Sequence, residues 1–289
     1  GDYVTLEGVY RQGILENQKI MKIERNNSFL IVIRQEVLEL FRTSIAVPYS
    51  NLLAGMVLGV KDNLPQDFSQ NLIKTGTSHV VVASGMNVSL TAGFLLALCL
   101  NFNKRRNAIL LSLAGIWIYA AIAGPQAPII RAVIMASAAF VAELTGRVKS
   151  TLRIFFLTAT SMLIVNPSWI SDVGFLLSFS TTLSLILFES KVNSKLYFVP
   201  KFIKEDLSTS IAAQILSMPI IFWKFGRVSV LSPLINAVVL WTVAPVTILG
   251  FVASLVGLIT PLFGHIVIMF CYPMLWWFVS VVDLFGKIT

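Results

Sequence analysis

Few residues in this chain have side chains suited to chemistry, and most of those few stand in or beside apolar runs. Arg131 follows the segment GPQAPII, which also carries Gln126, and Glu143 stands twelve residues further along the same run. Asp172 opens SDVGFLLSFS, which holds Phe175 and Ser178, while Gln214 and Asn236 are uncharged polar residues of later runs. His79, Ser84, Gly85 and Asn87 share one stretch, TGTSHVVVASGMNVSLTAGF, at 75–94. A charge at the centre of a membrane helix costs ~2.5–3.5 kcal/mol on insertion scales, so such residues serve function or bonds between helices. The functional chemistry would be that of a hydrated path lined by hydrogen-bond donors, with Arg131 as a sparse cation. Phe94, Phe175, Phe179, Phe222 and Phe225 could add flat surfaces on which bases stack. The competing reading for each polar residue is an interhelical hydrogen bond or a snorkelling end residue. No metal or cofactor is expected. His79 and His265 are the only histidines, Cys99 and Cys271 sit apart in apolar runs, and no Walker-type glycine loop is present.

Membrane helices must position these groups. The chain is 56% apolar and 12% charged, against roughly 25% charged residues in soluble domains. Mean hydropathy is +0.81. The expected fold is an all-α polytopic membrane protein of about eight transmembrane helices with broken or re-entrant elements. A short β remnant (1–27) and an interfacial amphipathic helix (28–47) should precede a transmembrane domain at 48–289. The remnant is read from loose alternation around Gly8 and Gly13. In the amphipathic helix, Leu30, Ile33, Val37, Leu40, Phe41 and Ile45 fall on one face. Gln35, Glu36, Glu39, Arg42 and Thr43 fall on the other. No cleavable signal peptide opens the chain, and its start at Gly1-Asp2 without Met reads as an excised fragment.

Asn51–Val60 is apolar but too short to span. A ~20-residue helix at 75–94 would cross a ~30 Å slab, but Gly85 weakens its middle and residues 76–79 its start. It is therefore expected to be a broken element beside a hydrophilic path. Spans are expected to end at Leu100 and to cover 108–123, 128–144, 152–165, 173–188, 207–225, 237–258 and 262–285, with a half-helix at 231–240 between Pro233 and Pro245. Alternate turns test the count. Lys104, Arg105 and Arg106 occupy the first, Arg147, Lys149 and Arg153 the third, and Lys191, Lys195, Lys201 and Lys204 the fifth; the second and fourth hold no Lys or Arg. Basic turns collect in the cytoplasm, so the N-terminal remnant should lie outside, with Lys224 and Arg227 a modest violation. The net charge of +8 orients helices in this way and also suits a polyanionic partner.

Three blocks carry a family resemblance. HVVVASGMNVSL, GPQAPIIRAVIMASAAFVAELTGR and NPSWISDVGFLLSFSTTLSL, in this order and spacing, resemble the membrane core of ComEC-type competence proteins. Gly76, His79, Ser84 and Gly85 match the first block; Arg131, Ala132, Met135 and Arg147 match the second. Pro167, Asp172, Gly174, Phe175, Leu177, Ser178 and Phe179 match the third. Asn87 stands where many members have His, and Leu176 where many have Gln. The resemblance implies a channel in the bacterial inner membrane that passes single-stranded DNA into the cytoplasm during natural transformation. The family often adds an outer oligonucleotide-binding barrel and a metallo-β-lactamase-like nuclease domain. Only a remnant of the first fits in 1–27 and nothing resembles the second, so no enzymatic activity is expected.

A DNA strand carries one charge per nucleotide and needs a wet, donor-lined groove through the bilayer. An inside-negative potential opposes it by ~2.3 kcal/mol per charge per 100 mV. The driving force should therefore come from a separate cytoplasmic motor or from DNA-binding proteins. Two other classes compete. A secondary transporter of a small anion or metabolite also uses broken helices at the midplane. An intramembrane serine protease would use Ser84 with His265.

Overall fold

The computed structural model describes residues 3–11, 14–24, 29–60, 64–81, 85–124, 126–146, 150–197, 199–226 and 231–288. Strands β1 (Tyr3–Arg11) and β2 (Ile14–Glu24) pair antiparallel, with Tyr3 opposite Glu24 and Arg11 opposite Ile14. Everything described beyond them is helical or connecting.

Helix α1 (Phe29–Ser44) divides its faces as the sequence predicts. Val37, Leu40, Phe41 and Ile45 are buried, whereas Gln35, Glu36, Glu39, Arg42 and Thr43 are exposed. Helix α2 (Tyr49–Leu58) is apolar on every side, and every residue from Ser50 to Leu58 is buried, so it is a core element rather than a surface one. Helix α3 (Gln66–Thr75) buries Phe68, Leu72 and Thr75 and keeps a polar face. It stops because Gly76 takes the left-handed conformation (φ 71°), which frees its own N–H to bond the Ile73 carbonyl.

The apolar runs become α5 (Gly85–Leu100), α6 (Arg105–Ala123), α7 (Ala127–Leu144), α8 (Thr151–Val165), α9 (Val173–Lys195), α10 (Lys201–Phe225), α11 (Ser232–Ile259) and α12 (Pro261–Ile288), with the one-turn α4 (Ser78–Val81) ahead of them. Five of these helices, α6, α7, α9, α11 and α12, are long and apolar enough to cross a membrane. Helix α5 has 16 residues and α8 has 15, about 22–24 Å at 1.5 Å per residue. Several helices run past the apolar runs: α9 continues to Lys195 and α10 begins at Lys201, because charged turns satisfy their backbone as well as apolar ones do. The half-helix expected at 231–240 is not separate, since α11 is continuous through Pro245. Pro233 lies in the first turn, where its missing N–H has no intrahelical acceptor, and Pro245 removes one bond from a 28-residue helix packed on its neighbours.

Three apolar clusters hold the bundle. The largest joins α1, α2, α3, α11 and α12; a second joins α5, α6 and α7; a third, built on Phe155, Met162, Phe175 and Phe179, joins α7, α8 and α9. Where α11 turns into α12 the backbones nearly touch. A Cβ on Gly264 would lie 2.7 Å from Gly257 Cα and 3.1 Å from Leu40 Cδ2, so the Leu40 side chain fills a notch that only glycines leave open.

Candidate functional site

The expected break in the 75–94 stretch is present. Gly76 ends α3 and Thr77 separates it from α4, whereas the expected weak point at Gly85 adjoins residues 82–84, which lie outside the described residues. Ser84 and the side chain of His79 lie outside the described residues.

Beside Gly85 stands Arg131, one turn into α7. Its helix begins after Gln126, whose carbonyl accepts the N–H groups of Ile129 and Ile130, and Pro128 occupies the first turn at no cost in hydrogen bonds. The Arg131 side chain is only 9% exposed. Its Nη2 lies over Gly85, where an added Cβ would be 2.6 Å away. Its Nη1 donates to Thr182 Oγ1 on α9, and the Thr182 hydroxyl donates in turn to the Ser178 carbonyl at 2.9 Å. The guanidinium carbon sits 5.8 Å from the centroid of Phe179. That ring packs on Phe175 at 4.4 Å and edge-on to Phe155 at 5.3 Å.

The arrangement leaves charge uncompensated. No described carboxylate forms an ion pair with Arg131, and its Nε is buried with no hydrogen-bond partner among the described residues. The cation–π contact returns ~0.5–2 kcal/mol, less than the several kcal/mol that burying an unpaired cation costs. Ser178 Oγ, one turn earlier on α9, is likewise buried without a partner. Such a set can accept an anion beside an aromatic surface.

The other sequence-predicted residues divide. Asp172 is exposed and caps α9, its Oδ1 accepting from Phe175 N at 2.7 Å. A Cβ on Gly174 would touch both Asp172 Oδ1 and Pro128, which places Asp172 where the starts of α9 and α7 meet. Gly85, Gln126, Arg131, Asp172, Phe175 and Ser178 thus belong to one end of the α5–α7–α9 group. Asn87 faces away from it, fully buried, with Nδ2 donating to the Met56 carbonyl at 2.6 Å. Asn236 donates to Ser232 Oγ, which reaches the Gly76 carbonyl at 3.4 Å. Gln214 is half-buried on α10, where Ser184 Oγ bridges α9 to the Ala212 carbonyl and the Leu216 amide. Glu143 pairs with Arg105 at 2.9 Å. His265 Nδ1 lies 2.5 Å from Ser44 Oγ on α1.

Two contributors escaped the sequence reading. Thr182 repeats the Phe175–Ser178 face at i+7 and i+4, a helical spacing that could have found it. Tyr119, a lone hydroxyl in an apolar run, donates to the Val57 carbonyl at 2.8 Å; a buried tyrosine needs such a partner.

Residues 56–289 match the family described as Competence protein. The chain belongs to this family. Among its relatives, this competence-family chain is 27% identical over 239 residues to ComE operon protein 3 of Bacillus subtilis (strain 168), covering 80% of the chain and 30% of the relative. It is 27% identical over 220 residues to Competence protein ComA of Neisseria gonorrhoeae, covering 70% and 30%. An uncharacterized protein of Aquifex aeolicus (strain VF5) is 31% identical over 202 residues, covering 68% and 47%. The chain spans less than half the length of these relatives. No solved structure matches. Family membership together with five helices of membrane-crossing length and composition fits a multi-pass membrane protein.

Proposed function

We propose that this chain is the membrane core of a DNA-uptake channel, passing one strand of incoming DNA across the bacterial inner membrane during natural transformation. The observation that carries the reading is the buried Arg131 guanidinium: it has no described carboxylate partner, lies against Gly85 and packs over the Phe179 ring, in a member of the competence family. A strand offers that site a phosphate for the cation. In this reading α5 through α12 make eight crossings, with α5 and α8 tilted or set in locally thinned bilayer. The basic turn at Lys104–Arg106 lies in the cytoplasm and the β1–β2 hairpin outside, as the tail of an oligonucleotide-binding domain. The chain itself performs no catalysis; the pull comes from a separate cytoplasmic motor or from DNA-binding proteins.

The test is complementation of a deletion strain with the full-length protein carrying Arg131→Glu. Membrane insertion should match wild type and DNA should still collect at the cell surface. Transformation should fall to the level of the deletion strain. Wild-type transformation by a properly inserted Arg131→Glu variant would refute the assignment.

A further inference from the structure

The eight proposed crossings leave everything ahead of α5 on the outer side. We infer that this segment instead threads the bilayer as a strap: α1 descends to the cytoplasmic face, and the stretch from Ser44 to Lys74, with α2 inside it, climbs back out. The inference takes from the channel reading only which face is outer.

Contacts along one helix fix the climb. Helix α12 is continuous from Pro261 to Ile288. Near its start, His265 Nδ1 lies 2.5 Å from Ser44 Oγ. Two turns on, the Tyr272 ring meets Tyr49 at 5.1 Å. Near its end, Asp283 Oδ1 accepts from Asn71 Nδ2 at 2.9 Å, and the Gly286 carbonyl accepts from Lys74 Nζ at 3.3 Å. The chain from Ser44 through Tyr49 and Asn71 to Lys74 thus follows α12 in order, from one end to the other. Positions 265 and 283 stand ~27 Å apart at ~1.5 Å per residue, close to the ~30 Å of a hydrocarbon core. Helix α2 suits that depth. It is buried on every side, and Asn87 and Tyr119 donate to carbonyls of its last turn, so no polar backbone there is left to lipid.

Two landmarks fix the descent. A Cβ on Gly124, in the turn between α6 and α7, would lie 3.4 Å from Arg34 Nη1. Further along α1, Leu40 fills the notch of Gly257 and Gly264 at the corner between α11 and α12, and Ser44 reaches His265. These landmarks belong to opposite poles of the bundle. From the end of α6, helices α7 to α10 alternate through short turns, so α11 starts at the pole where α6 ends and its corner with α12 lies at the other. Helix α1 therefore stands along the bundle, not flat in the interface plane. Its exposed face changes to match. Phe29, 75% exposed, and Val32 mark its outer end, whereas Gln35, Glu36, Glu39, Arg42 and Thr43 lie toward the corner. Apolar side chains suit lipid, and charged ones suit the cytoplasmic headgroup layer. The strap fastens the outer amino-terminal segment to a cytoplasmic turn through a single helix.

The experiment uses the full-length protein with Cys99→Ala, the buried Cys271 kept, and one cysteine added at a time. A membrane-impermeant maleimide is applied to spheroplasts and, separately, to inverted membrane vesicles. Lys19→Cys on β2 and Leu284→Cys near the end of α12 should react in spheroplasts and lose that reaction in inverted vesicles. Arg42→Cys, Glu39→Cys and Ile259→Cys, all at exposed positions, should do the reverse. Surface cysteines at these places leave the packing intact, and Glu39→Cys carries the test if Arg42→Cys does not insert. Reaction of Lys19→Cys and Arg42→Cys from the same face would overturn the inference. So would reaction of Ile259→Cys and Leu284→Cys from one face, since α12 would then not cross. Opposite-face labelling with normal transformation in Arg131→Glu would keep the strap and remove the channel; same-face labelling with transformation lost in Arg131→Glu would remove the strap alone.

Discussion

Asn87 and Tyr119 make a prediction that sets structure against transport. Helix α2 is buried on all sides, so water cannot satisfy the carbonyls of its last turn. Gly59 and Val60 return to Gly55 and Ala54, which leaves Met56 and Val57 to be met from elsewhere. Asn87 of α5 donates to the first at 2.6 Å and Tyr119 of α6 to the second at 2.8 Å. Tyr119→Phe removes one hydroxyl and no volume that packing needs, and leaves a buried acceptor unmet at about 1–3 kcal/mol. Asn87→Leu costs somewhat less, because it also removes Oδ1, which is buried with no described partner. At ~2–4 °C per kcal/mol, Tyr119→Phe should lower the unfolding temperature of the detergent-solubilised full-length protein by about 2–12 °C. The two changes should couple by at least ~0.5 kcal/mol, since adjacent carbonyls of one turn relax together. Intrinsic fluorescence during a thermal ramp reads the unfolding temperatures, and transformation at reduced temperature should stay near wild type in both single variants. An unchanged unfolding temperature in Tyr119→Phe would refute the capping argument. Loss of transformation in a thermally normal Asn87→Leu would make Asn87 a residue of the path.

Two further predictions concern packing and charge. Gly264→Ala brings a Cβ within 2.7 Å of backbone and should destabilise by about 1–3 kcal/mol, whereas Gly93→Ala, with nothing within 4 Å, should gain up to ~1 kcal/mol of helix propensity; thermal unfolding of the pair decides, and equal shifts would contradict the close crossing. Burial, and then the neighbouring Glu205 charge, raise the Asp206 carboxyl above the ordinary aspartate range. A raised native pKa means that the folded state holds its proton more tightly than the unfolded chain, so this group's contribution falls as pH rises from ~4 through the raised value. Asp206→Asn should therefore unfold at a higher temperature than wild type at pH 7, with the difference gone below pH ~4; a variant less stable at pH 7 would reverse the sign.

How much of this was legible in the sequence depends on the range of the interaction that decides it. Hydropathy alone finds α5 to α12 to within a turn at most ends, because each is written in local composition. It shortens α9 and α10, whose charged turns at Lys191–Lys195 and Lys201–Asp206 are as helical as the apolar parts. It also sets a half-helix at 231–240 apart from the span at 237–258, where packing on neighbouring helices, invisible to local propensity, holds one helix from Ser232 to Ile259. Gly85, as a weak point in its apolar run, and the unusual charge of Arg131 were both readable. That they touch was not, since they lie 46 positions apart and meet only after α5 and α7 pack. Asn87 stood out as a costly polar group, but its partner is a carbonyl 31 residues away. A single sequence gives no sign of that pairing.

The Leu40 bolt in the Gly257–Gly264 notch has a mechanical consequence. Leu40 stands on α1, so tension applied along that helix from Phe29 is delivered through Leu40 to the corner between α11 and α12. No methyl-sized slack exists there to absorb it. Whatever tugs on the amino-terminal segment therefore loads the longest helical hairpin of the bundle directly, as a lever loads its fulcrum.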